Sequence, residues 1–293
     1  MNSKKMLVPV MAIVSVCLAA LGFAFLLIAA LTEYDVSIGH FENKAIFATL
    51  AYAVCIIGVI AAAVCAFLVR GNRISRGKNA GIFLSFTSAL SAILMLACVV
   101  LTFVDNIIAQ EAAIPGTAMN MGMVHYLSML TGVLGGAALV LFVFYGSYRT
   151  NISQILSFCI PVYFVFETLI QYFDKTTAIN SPLKILVQLA FVSYAVFTTF
   201  DAGVYIGKEK ILPRYVFSCM AAVVIGGSVS LATLVCQFVS PQSFGISVVE
   251  SCLACSLFLL AAAKLHHIAF SIKPEKKEEP AVQTEQAEET VNE

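Results

Sequence analysis

Three carboxylates, Glu167, Asp201 and Glu250, stand where the chain is otherwise apolar, out of 17 acidic residues in 293. An ionisable side chain in a lipid-facing run costs roughly 2.5 kcal/mol or more, so each needs a partner or a task. The tasks open to a buried carboxylate are proton exchange and cation binding. Around Glu167 the pattern extends: Gln171 is one helical turn further on the same face, and Asp174 carries that face to the end of the run. Gln188, Gln237 and His125 fall near the same depth on other runs. Together they outline an outward-opening polar pocket with Glu167 and Glu250 as its ion ligands. The plainer alternative makes each a lone interfacial residue or an interhelical hydrogen-bond partner. Asp201 sits at the other end of its run, within reach of Lys208 and Lys210, and is expected to form a structural ion pair.

Other chemistry finds little support. Cys252 and Cys255 form a CxxC, a spacing that permits disulfide exchange, but no thioredoxin-like or quinone-binding pattern accompanies it. All nine cysteines lie in apolar stretches, where a free thiol behaves as a small hydrophobe. His266 and His267 are adjacent and so point to divergent helix faces, which does not make a metal site. HExxH, GxSxG and GxxxxGK[ST] motifs are all missing, and no segment between apolar runs is long enough for a catalytic domain. The expectation is a protein without enzymatic activity, cofactor or metal.

The elements that must position these residues follow from composition. Hydrophobic residues make up 60% of the chain and charged ones 12%, with a mean hydropathy of +0.93. A soluble domain carries about 25% charged residues, so the class is an all-α integral membrane protein in the lipid bilayer. A hydrocarbon core about 30 Å thick takes about 20 apolar residues of helix. Eight such runs appear, at about 7–31, 45–69, 80–104, 121–146, 152–173, 183–206, 215–239 and 244–265. The first is too long for a cleavable signal peptide and reads as a retained helix. Residues 273–293 are charged and poor in apolar groups, and are expected to form a disordered cytoplasmic tail.

Charge sets the expected orientation. Lys and Arg accumulate in short cytoplasmic loops. With the N-terminus inside, 14 of the 17 basic residues lie on that side, leaving only Lys44, Lys175 and Lys184 outside. Both termini are therefore expected in the cytoplasm. The formal net charge is zero, which offers nothing to a nucleic acid. An outline likeness between the second and third runs and the sixth and seventh raises a parallel internal repeat as a further option.

Small residues decide where helices approach closely in lipid. Ser128, Gly132 and Gly136 are four apart on the fourth run, with Gly135 alongside; Cys219, Ala222, Gly226, Ser230, Thr233 and Gln237 recur at a helical period on the seventh. Both runs are expected inside the bundle, the stripes serving packing alone. Pro161 lies inward of Glu167 on the same run and is expected to kink it, while Ser181 and Pro182 read as a helix start.

The stretch from Ile179 to Tyr215, with Asn180, Ser181, Pro182, Lys184, Gln188, Gly207, Pro213 and Arg214, resembles a segment of uncharacterised eight-helix membrane proteins of clostridial bacteria. Where those proteins show Glu followed two residues later by Arg, this chain has Asp201 and Gly203. The resemblance implies a bacterial plasma membrane location and no known activity. Two functional classes remain: a small-solute or cation transporter using the outer polar pocket, and a non-catalytic subunit or sensor that contacts a membrane or cytoplasmic protein partner through the tail and basic loops.

Overall fold

Lipid offers no partner to a free N–H or C=O, so a long apolar run satisfies its backbone internally as a helix. The computed structural model describes residues 3–35, 37–42, 44–70, 73–74, 81–112, 122–146, 151–173, 180–205, 212–240 and 244–273. The expected disordered tail beyond residue 273 lies outside them, as do Asp174, Lys208 and Lys210. Among the described residues eight helices are long and apolar enough to cross a membrane: Pro9–Thr32, Ile46–Leu68, Ile82–Val104, Met123–Tyr145, Asn151–Phe173, Pro182–Val204, Pro213–Val239 and Val248–Ile268. In element terms these are α1 (Ser3–Thr32), α2 (Ile46–Leu68), α3 (Ile82–Ala112), α4 (Met123–Tyr145), α5 and α6 (Asn151–Ser157, Cys159–Phe173), α7 (Pro182–Tyr205), α8 and α9 (Leu212–Ala221, Gly227–Val239) and α10 (Val248–Ser271).

Two spans are interrupted. The fifth breaks at Phe158, because Pro161 has no N–H for the Ser157 carbonyl and its ring crowds that turn. The chain closes the break with a tighter bond from Phe158 N to Ile155 O at 3.1 Å. The seventh contains a π turn at Ala222–Gly226 between α8 and α9. The eighth helix starts four residues later than hydropathy places it, since Gly245 adopts a left-handed φ of 65° and Ser247 precedes the first helical residue.

The seventh span is the centre of the bundle. It packs on α1, α2, α7 and α10, and 78% of its most apolar window is buried. Gly226 permits this, because a Cβ there would come within 2.6 Å of the Tyr194 ring on α7. The fourth span, expected inside, lies instead at the periphery: only its Ser128, Gly132 and Gly136 side is buried, against α3 and α6, while Leu130, Val133 and Phe144 are exposed. A small-residue stripe buries one face, and the bulky residues elsewhere on the helix are free to meet lipid.

Even spans return the chain to one end of the bundle. At the other end β1 (Tyr34–Asp35) pairs antiparallel with β2 (His40–Phe41), and this is called the hairpin end below. Glu33 closes that loop onto α2, its two carboxylate oxygens each accepting a 3.0 Å bond from the N–H groups of Phe47 and Ala48, which have no helical acceptor. The Ser37 hydroxyl and amide both donate to Asp35 and hold its carboxyl below the usual range. The Tyr34 hydroxyl meets that of Ser181, just before α7, at 2.8 Å. At the end where the described chain starts and stops, β3 (Arg73–Ile74) pairs with β4 (Ile272–Lys273), and this is called the terminal end.

Candidate functional site

The polar residues gather into two layers separated by an apolar block. The layer nearer the hairpin end is built on α4 and α6, which run antiparallel and in close contact. That approach depends on Gly132, where a Cβ would fall 2.5 Å from Val99 and 3.1 Å from the Tyr163 ring. It brings the Ser128 hydroxyl to Glu167, donating to Oε1 at 2.5 Å. Glu167 is only 7% exposed. Tyr163, one turn before Glu167 on α6, is buried against Gly132 of α4. Glu250 stands in the first turn of α10, at the same end of the bundle. Side chains of α4 and α6 therefore meet at one buried carboxylate.

Two candidates at this layer hold polar atoms that are buried without a hydrogen bond: Gln171 Oε1 and His125 Nδ1. Gln171 follows Glu167 by four residues on α6, and His125 precedes Ser128 by three on α4. Because the helices are antiparallel, both lie one turn from the Ser128–Glu167 contact toward the hairpin end. Gln188 is half-buried on α7, and no hydrogen bond joins it to this layer among the described residues.

Glu250 has a second duty that its sequence announces. Ser247-Val-Val-Glu250 is a capping box: Ser247 N donates to Glu250 Oε2 at 2.6 Å, and Glu250 N donates to Ser247 Oγ at 3.2 Å. The S-x-x-E spacing ahead of an apolar run was the available signal. Gln237, at the end of α9, ties the same junction by donating to the Ile246 carbonyl, with Ser251 Oγ at 3.4 Å.

The layer at the terminal end is an ion pair. Lys264 Nζ lies 3.0 Å from Asp201 Oδ1, with the side chains 4% and 8% exposed. Tyr215 of α8 donates to the same oxygen at 2.6 Å, and the Lys264 ammonium sits 3.9 Å from the centre of the Phe142 ring on α4. Asp201 thus has a structural partner, and among the described residues it is Lys264 of α10. Sequence reasoning missed Lys264, counting it as a residue of the inner loop. Its place in AAAKL, inside an apolar run, marked it as intramembrane.

Between the layers the interior is filled. Phe164, Phe191 and Tyr194 pack with ring centroids about 6 Å apart (5.9 and 6.0 Å), and Phe197 stacks on Tyr215. The Tyr194 hydroxyl donates to the Ala254 carbonyl at 2.9 Å and meets Ser230 Oγ at 2.6 Å. The hydroxyls of Ser230 and Thr233 bond carbonyls of their own helix, at Gly226 and Ser230 respectively, so these stripe members serve packing. Cys252 and Cys255 are both free thiols, and Cys255 points to the Ser230 carbonyl at 3.2 Å. Among the described residues no group of three His, Cys, Asp or Glu side chains is placed to hold a metal ion.

Comparison with protein-family models, with curated proteins and with solved structures gives no match.

Proposed function

We propose that this multi-pass membrane protein is a small-solute or cation transporter whose binding site is the Glu167 layer. The observation that carries the reading is the buried Glu167 itself. It shares its layer with a second carboxylate and with acceptor atoms on Gln171 and His125 that have no donor. Such an acceptor-rich, low-dielectric site attracts a cation or a proton. Most of its groups lie on peripheral helices, α4 and α6, which can shift against the seventh-span core without unpacking it.

The charge distribution supports an orientation with both termini cytoplasmic and the hairpin end outside, and the resemblance of the 179–215 segment supports a bacterial plasma membrane. Ile38, exposed at the hairpin tip, should then react as Ile38→Cys with an impermeant maleimide on intact cells, above the wild-type background. The site is tested by a thermal-shift screen with cations and common metabolites on wild type and Glu167→Gln, followed by flux in liposomes. Carboxylate binding weakens as pH falls through the titration of the carboxylate, so wild type should show pH-dependent stabilisation and the variant none. A ligand that stabilises both proteins equally at every pH returns Glu167 to a structural role.

The filled block of Phe164, Phe191 and Tyr194 favours a second reading, a non-catalytic membrane subunit or sensor that contacts a protein partner. On that reading the screen yields no ligand, and the protein co-purifies in stoichiometric complex.

A further inference from the structure

We propose that the ligand of the Glu167 layer carries a primary ammonium group, held jointly by Glu167, Gln171 and His125; the inference rests on the cation-binding reading above. His125 and Ser128 are three apart on α4, and Glu167 and Gln171 four apart on α6. The Ser128–Glu167 bond fixes the register of the two antiparallel helices, so His125 and Gln171 share the next level toward the hairpin end.

What is left unsatisfied at these two levels is of one kind. Gln171 is 5% exposed and its Oε1 is buried without a donor; His125 Nδ1 is buried in the same condition. A neutral imidazole with its proton on Nε2 presents Nδ1 as an acceptor. The Glu167 carboxylate has about four lone-pair sites, and Ser128 takes one of them. Buried polar groups are normally paired, so unpaired acceptors on α4 and α6, one turn from a buried carboxylate, mark the place of a donor.

The chemistry of that donor follows from the acceptors. An R–NH3+ group brings one positive charge, three N–H donors and no acceptor, which matches a carboxylate oxygen, an amide oxygen and an imidazole nitrogen. Hard alkali and alkaline-earth cations favour shells made wholly of oxygen, which the imidazole does not supply. A quaternary ammonium brings charge without donors and would leave all three acceptors unpaired. A second carboxylate, Glu250 in the first turn of α10 at the same end of the bundle, favours the charged amine over a neutral hydroxyl compound.

The test uses the full chain in lipid nanodiscs, titrated calorimetrically with methylammonium, tetramethylammonium, sodium and potassium chlorides. The expected result is binding of methylammonium in preference to the other three, abolished in Glu167→Gln. Gln171→Met, close in length but without the amide acceptor, should weaken methylammonium roughly tenfold or more, the loss expected for one charge-assisted hydrogen bond. Equal binding of tetramethylammonium overturns the ammonium assignment. So does a preference for sodium or potassium; if that binding is lost in Glu167→Gln, the cation reading survives without the amine. No binding of any of the four overturns both. The ligand series on wild type decides the matter even if Gln171→Met does not fold.

Discussion

Removing the charge of Lys264 or of Asp201 should cost far more than removing both. At 3.0 Å the attraction of two unit charges is about 5 to 6 kcal/mol with an effective dielectric constant near 20, before the cost of desolvating each is set against it. Breaking such a pair by removing one member typically costs about 3–5 kcal/mol, because the other charge is left buried. The two single variants need not be equal. Lys264→Met leaves Asp201 with the Tyr215 hydrogen bond, which places it near the lower end of that range. Asp201→Asn replaces the carboxylate beside the ammonium with a neutral amide, over the face of Phe142; cation–π contact recovers about 2 kcal/mol at most in a desolvated site. The double variant buries no charge and should lie within about 2 kcal/mol of wild type. The expected coupling is therefore at least about 3 kcal/mol, well above the roughly 0.6 kcal/mol average of hydrogen bonds between membrane helices. Reversible unfolding in mixed micelles, titrated with sodium dodecyl sulfate, measures all four corners of the cycle. If the double variant loses the sum of the singles to within about 0.5 kcal/mol, the two side chains do not act as a pair and the account of this layer is wrong.

Two further outcomes follow from the packing and the caps. Gly226→Ala gains about 1 kcal/mol of helix propensity but drives a methyl to within 2.6 Å of Tyr194, whose hydroxyl is pinned by Ser230 and Ala254. The overlap should win by about 1–3 kcal/mol, and a thermal midpoint at or above wild type would show that the α7 contact yields. Ser247→Ala removes one half of the capping box and should lower stability by about 1 kcal/mol while leaving cation binding at Glu167 in place. A large loss of affinity in that variant would mean that Ser247 orients Glu250 for the ligand rather than for the helix.

The sequence by itself determined the eight membrane-length helices, because the transfer of an apolar run into lipid is a sum over neighbouring residues and needs no knowledge of the fold. Seven of the eight starts agree with the structure to within about two residues; the eighth shifts to Val248 because a left-handed Gly245 and the Ser247 cap, not hydropathy, set it. The break before Pro161 and the start at Pro182 were also legible, since proline acts on its own turn. What the tertiary structure decided is which faces meet. The rotation of α4 against α6, where Gly132 and Gly135 let the Tyr163 and Ile160 side chains approach, makes Glu167 the partner of Ser128, a residue that spacing alone assigned to packing. The same holds for Lys264, which as a letter near a helix end counts as a loop charge, and becomes the counter-ion of Asp201 only because α7 and α10 bring the two side chains together. Hydropathy is a property of segments; a site belongs to side chains on different segments, and their distances depend on helix rotations that no single run of residues encodes.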